Sequence, residues 1–163
     1  MNNNTTLNPE EPASTASERA TLPARRILVV DDDFFIRQLS AKALVRSGYK
    51  VDASEDGEAA WEALHANSYD LLITDNNMPK LSGVELIRKM RSASMALPVI
   101  LASGTIPAEE LNLQLAATLP KPFSGDELLE TVSNVLRAAE CACEQIKPLP
   151  GRRNHPPAVA LQM

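Results

Sequence analysis

The sequence predicts an α/β fold, a five-stranded parallel sheet doubly wound by helices on both faces. Two observations carry this. Short aliphatic runs alternate with longer amphipathic ones through the middle of the chain, and such alternation builds a parallel sheet through crossover helices. Polar groups also recur directly after the aliphatic runs, where open sheets of this kind hold their ligands.

The elements follow in order. Ile27–Val30 is a continuous aliphatic run, as expected of a strand covered on both faces. Residues 34–47 place Ile36, Leu39 and Ala43 at helical spacing, with Gly48 as the stop. Lys50–Ala53 alternates polar and apolar and suits an edge strand. A helix from Gly57 to Asn67 carries Ala60, Trp61 and Leu64, and Leu71–Thr74 is the next buried strand. Ser82 and Glu85 have the spacing of a capping box and open a helix carrying Leu86, Ile87 and Met90. Pro98 precedes the strand Val99–Ala102, Pro107 opens the next helix, and Ala117–Leu119 is a short strand. Ser124 and Glu127 form a second capping box, leading a helix with Leu128, Val132, Val135 and Ala139 on one face. The sum is five strands and five helices.

The length, 163 residues, suits one domain with tails. Residues 1–24 are rich in Asn, Thr, Ser, Glu and Pro and read as a disordered tail, as do the Pro-rich residues 141–163, leaving 25–140 as the domain. Apolar residues make up 44% and aromatics 4%, so the core rests on Leu, Ile, Val and Ala. A net charge of −5 gives no basic surface for nucleic acid. Cys141 and Cys143 are too few and too close for a disulfide framework; they read as small residues near a helix end in a reducing cytoplasm. Residues 1–24 lack the apolar stretch of a signal peptide, and the aliphatic runs are far short of the ~20 residues a membrane helix needs. A cytoplasmic protein without membrane or nucleic-acid contacts is expected.

Chemistry gathers at the strand ends. Asp31, Asp32 and Asp33 follow the first strand, Asp75 the third, Ser103 the fourth and Lys121 the fifth. Asp33 alone is explained as a helix N-cap. The joint pattern is harder to explain structurally, because four strand ends each supply a group that one reaction needs. Neighbouring carboxylates repel unless a cation sits between them, and hard oxygen ligands favour Mg²⁺. One carboxylate can then act as nucleophile toward phosphorus, with Mg²⁺ and a lysine ammonium supplying positive charge and a serine hydroxyl a hydrogen bond.

The segments Ile27–Asp33, Asp75–Pro79, Pro98–Ser103 and Lys121–Phe123 together resemble the receiver domain of two-component response regulators, over residues 25–140. The resemblance implies a flavodoxin-like sheet of strand order 2-1-3-4-5. It makes Asp75 the phosphoacceptor. Asp32, Asp75 and the backbone carbonyl of Asn77 match the direct Mg²⁺ ligands, with Asp31 holding the metal through water. Ser103 matches the hydroxyl that meets the phosphoryl group, and Lys121 the lysine that pairs with acceptor and phosphate. Asn77 and Thr105 occupy positions that tune phosphoryl lifetime, and Met78-Pro79 and Ser82-Gly83 shape the acceptor turn. The donor is a histidine kinase or histidine phosphotransfer protein, and the protein is a phosphoacceptor that assists its own transfer and dephosphorylation rather than a turnover enzyme. A Tyr or Phe is common three residues before the lysine; Thr118 stands there, which directs output to Ser103–Pro107 and the following helix, toward partner docking or phosphorelay with an unidentified protein target. The short, Pro-rich chain after the last helix resembles stand-alone receivers.

Three alternatives fit less well. A haloacid-dehalogenase-type phosphatase would use Asp31 and Asp33, but Phe34-Phe35 replaces the small residue expected next, and no strand ending in paired acids follows Lys121. A receiver-like binding module that is never phosphorylated would lack an acid, the acceptor or the lysine, and none is missing. A nucleotide-binding role lacks its Gly-rich loop after the first strand.

Overall fold

The structure, a computed structural model, describes residues 24–104 and 113–144. The expectations for residues 1–23, for Thr105, for the helix opening at Pro107 and for residues 145–163 lie outside the described residues. Strands β1 (Arg26–Val30), β2 (Lys50–Ser54), β3 (Leu71–Asp75), β4 (Val99–Ser103) and β5 (Ala117–Pro120) alternate with helices α1 (Phe34–Arg46), α2 (Gly57–Ala66), α3 (Gly83–Ser92) and α4 (Gly125–Glu144). The strands pair in parallel in the order β2-β1-β3-β4-β5. The chain therefore reverses its direction of growth between β1 and β3, the switch point at which such sheets place their ligands.

The sheet separates two apolar layers. Ile27, Val29, Leu71, Ile73, Ile100 and Ala102 point to the face covered by α1 and α4, where they meet Leu44, Leu128, Val132 and Leu136. Leu28, Val30, Leu72, Val99 and Leu101 point to the other face and meet Ala60 and Leu64 of α2 and Leu86, Ile87 and Met90 of α3. Consecutive strand residues serve opposite faces, so the central strands must be apolar throughout. Taking each such side chain out of water stabilises by roughly 1.5–3 kcal/mol. The outer strands are less covered: β2 has no fully buried residue, and β5 buries Leu119 alone.

The helix ends are specified locally. Asp33 caps α1, its carboxylate accepting from the amides of Phe35 at 2.8 Å and Ile36 at 3.1 Å. Gly48 ends the helix region at φ 90°, where a side chain would be strained. Both capping boxes form: Ser82 and Glu85 bond reciprocally at the start of α3, and Ser124 and Glu127 at the start of α4. Helix α4 continues to Glu144, past the boundary placed at residue 140, because the next helix breaker is Pro148.

Four strands run one residue further than the sequence pattern indicates, taking in Ser54, Asp75, Ser103 and Pro120. Pro120 is tolerated because β5 is an edge strand, and the ladder resumes where the Lys121 amide donates to the Ser103 carbonyl at 3.1 Å. At the amino end of β4 and β5 the Arg91 guanidinium donates to the carbonyls of Met95 (2.7 Å), Leu97 (3.0 Å), Gln114 (3.1 Å) and Leu113 (3.4 Å). It joins the α3–β4 connection to the approach of β5, and burial holds its pKa below the usual arginine value.

Candidate functional site

The carboxyl ends of β1, β3 and β5 bring Asp31, Asp75 and Lys121 into contact. Asp31 and Asp75 are 4% and 5% exposed, unusual for carboxylates. The Lys121 ammonium lies between them, 2.8 Å from Asp31 Oδ2 and 3.0 Å from Asp75 Oδ1. The remaining oxygens are also held: the Asp33 amide donates to Asp31 Oδ1 at 2.9 Å, and the Asn77 amide to Asp75 Oδ2 at 3.1 Å. Each oxygen of an ionised carboxylate has about two acceptor sites, so both oxygens of Asp75 keep one for an incoming group. Arg37 fastens the β1–α1 loop from outside, donating to the carbonyls of Asp31 at 2.5 Å and Asp32 at 3.3 Å.

The charges do not balance. Two buried carboxylates share one ammonium. Burial pushes the Asp31 carboxyl above its ordinary value, against the hydrogen bond from Lys121, and the Asp75 charge pushes the same way. Burial opposes the charge on Lys121, yet its bonds to Asp31 and Asp75 overcome this and raise its pKa. The site is an anionic cluster with residual demand for a cation.

Of the other candidates, Ser103 is buried at the end of β4, one residue beyond Ala102, which pairs with Asp75. Asp32 and Asn77 are exposed at the rim of the site. Among the described residues no three acidic, His or Cys side chains form a ready-made metal cage; the close set is Asp31, Asp75 and Lys121, and the Asp32 carboxylate stands apart from it. The donor chemistry nevertheless fits Mg²⁺, which takes one or two carboxylates and keeps several waters. Thr118 is exposed on β5, where the register pairs it with Leu101. Asp33 serves as the α1 cap and donates its amide to Asp31.

Behind Asp75 the turn closes tightly. The Gly83 amide donates to the Asn76 carbonyl at 3.1 Å, and the Asn76 side chain accepts from the Val84 amide at 3.4 Å. A Cβ at Gly83 would overlap the Asp75 carbonyl oxygen, which is backbone and has nowhere to retreat. Gly83→Ala is therefore expected to destabilise by about 1–3 kcal/mol through forced backbone displacement. Denaturant titration measures the loss, and an unchanged midpoint would show that α3 can shift away freely.

Four supporting residues escaped the sequence reading: Arg37, Asn76, Asp56 and Lys80. Asp56 had a local signal, an acid directly before a helix start. The others act across turns or between elements and leave no mark in the pattern.

Comparison with known proteins identifies the family and the fold. A family model described as the response regulator receiver domain matches residues 27–133. Response regulator MprA of Mycobacterium ulcerans is 37% identical over 116 residues, covering 69% of this chain and 50% of MprA. SilR of Salmonella typhimurium, described as a probable transcriptional regulatory protein, is 37% identical over 69% of this chain and 51% of its own length. The chain thus spans about half the length of these curated relatives. Among solved structures, chemotaxis response regulator CheY4 of Vibrio cholerae has a TM-score of 0.65 at 29% identity, over 69% of this chain and 98% of that one. Response regulator TrrA of Thermotoga maritima, solved in complex with Mg²⁺ and BeF, has a TM-score of 0.62 at 34% identity, over 68% and 98%. Among the described residues no helix is long and apolar enough to cross a membrane.

Proposed function

This chain belongs to the response regulator receiver domain family, and we propose that Asp75 is its phosphoacceptor, loaded by a histidine kinase or histidine phosphotransfer protein with Mg²⁺ in the site. The observation that carries the reading is the Lys121 ammonium bridging two buried carboxylates at the switch point of the sheet. A structural ion pair needs one carboxylate per lysine; a second buried carboxylate, held by the Asn77 amide, is costly unless it is used.

Each residue has a role in this reading. An Asp75 oxygen attacks phosphorus and forms the O–P bond; the P–N bond to the donor histidine breaks, and the imidazole nitrogen keeps the electron pair. Lys121 neutralises the acceptor and then the phosphoryl oxygens. Ser103 donates its hydroxyl to the new group. Asp32, Asp75 and the Asn77 carbonyl would hold Mg²⁺, with Asp31 as the supporting acid, as the family resemblance implies. The metal supplies positive charge to the phosphoryl oxygens when bound. The chain passes on a phosphoryl group or its effect and does not turn over an external substrate. Output through the Ser103–Pro107 surface fits a buried Ser103 and an exposed Thr118 in place of an aromatic, and it controls docking of a protein target or onward relay in the cytoplasm; neither nucleic acid nor membrane enters this reading.

Intact-protein mass after incubation with acetyl phosphate tests it. A phosphoryl-sized gain with Mg²⁺ that disappears with a chelator is expected. No gain, together with no Mg²⁺ binding by calorimetry, would leave a binding module with a receiver fold.

A further inference from the structure

The acceptor turn is also held from the side. Lys80, between Asn77 and Gly83, has φ 65°, a left-handed conformation that a β-carbon disfavours. Its ammonium reaches Asp56 Oδ2 at 2.5 Å, across 24 residues of sequence. Asp56 is buried, 2% exposed, and its other oxygen caps α2 by accepting from the Ala59 amide at 2.8 Å. Beside this pair Gly57 lies so close to the Leu81 carbonyl that a Cβ would overlap it. The start of α2 and the turn after Asp75 are therefore joined twice, once by charge and once by close backbone approach.

A lysine–carboxylate pair exposed on both sides contributes little. Here the carboxylate is desolvated and fixed by its own capping bond, and the lysine, its side chain 55% exposed, reaches it from the solvent side. The Ala59 amide and then Lys80 hold Asp56 below the ordinary carboxylate value. A strained backbone at the lysine persists only where its surroundings over-determine it. Strain, a buried counter-charge and a missing Cβ converge on the segment that presents Asn77 to Asp75.

We propose that Lys80 and Asp56 form a positioning pair that fixes the turn through which Asn77 addresses Asp75, and so sets both the Mg²⁺ affinity of the site and the lifetime of the phosphoryl group on it. The inference rests on the phosphoacceptor reading. Both residues act through the turn and not on the reacting atoms.

Four variants of the whole chain test it: Lys80→Met, Asp56→Asn, their combination, and Lys80→Arg. Asparagine caps a helix about as well as aspartate, so Asp56→Asn removes the charge pair and keeps the cap. Three quantities are read beside the thermal midpoint. They are hydrogen exchange at the amides of Asn77, Met78, Lys80 and Leu81 without metal, the Mg²⁺ dissociation constant by calorimetry, and the decay of the phosphorylated mass.

Lys80→Met and Asp56→Asn are each expected to weaken Mg²⁺ binding about tenfold, the effect typical of losing a residue that orients a metal ligand. Exchange at the turn should quicken and phosphoryl decay should change with it. The double variant should be no worse than either single one, and Lys80→Arg should restore wild-type values. A lowered midpoint with unchanged affinity, exchange and decay would overturn the proposal and leave a purely structural bond; additive losses would show that the two residues do not act as a pair. Wild type that neither binds Mg²⁺ nor gains phosphate would remove the phosphoacceptor reading and the proposal with it. Wild type that does both, beside an indistinguishable Lys80→Met, would remove the proposal alone.

Discussion

Asp75→Asn is expected to end phosphoryl uptake without unfolding the protein. An amide oxygen is a poor nucleophile toward phosphorus, so the intact mass should show no gain under conditions that load wild type. Stability should move the other way. Asp75 and Asp31 share one lysine, and the charge of Asp75 helps push Asp31 up. Asparagine has nearly the same shape and no charge, so the repulsion goes while Lys121–Asp31 remains. The unfolding free energy should stay within about 1 kcal/mol of wild type, on the stabilising side. A retained mass gain would place the phosphoryl group on another residue. Asp31 would be the first to examine, since a haloacid-dehalogenase-type enzyme would use it.

Lys121→Met is expected to cost about 3 kcal/mol at pH 7, the low end for breaking a buried ion pair, because the lysine side chain is itself 20% exposed. The loss depends on pH, and its sign follows from Asp31. Its folded-state pKa is already raised from 3.8 with Lys121 in place, and Lys121 contributes the two largest lowering effects. Without the lysine that pKa rises further. A raised carboxyl penalises the ionised folded form above the folded pKa, and the penalty fades as pH falls through it toward the unfolded value. Denaturant titrations at pH 7 and near pH 4 should therefore show the gap to wild type narrowing on acidification. Phosphoryl uptake should drop about a hundredfold or more, as expected when a preformed positive group leaves the reaction site. A gap independent of pH would mean that Lys121 stabilises by packing its stem and not by pairing.

Much of this molecule is written in its local pattern. The run Ile27–Val30 could be placed on a central strand because both faces demand apolar side chains, and Ser82, Ser124 and Gly48 mark helix ends by chemistry that needs no tertiary information. Asp75 and Lys121 were legible because parallel topology puts successive strand ends on one rim. What the pattern did not carry is how the charges sort themselves there. Asp31, expected as a supporting acid for the metal, also bonds Lys121, which Asp75 shares, while Asp32 is exposed at the surface. Side-chain direction after a strand is set by the loop, here by Arg37 reaching back to two carbonyls, and no periodicity encodes that. The Lys80–Asp56 bond is equally silent, since it joins two turns that meet only after the sheet has formed.

The four carbonyl bonds of Arg91 have a consequence for anyone who would alter this protein. They make a mooring just ahead of β5, tying Leu113 and Gln114 to the α3–β4 connection before the ladder with β4 begins. The strand therefore starts from a fixed point, and its register against β4 follows from there. Lys121, carried at the far end of that strand, keeps its place between the two carboxylates. Replacing Arg91 is therefore a change to make with an eye on the far end of β5, since the lysine that serves the two carboxylates hangs from the strand it steadies.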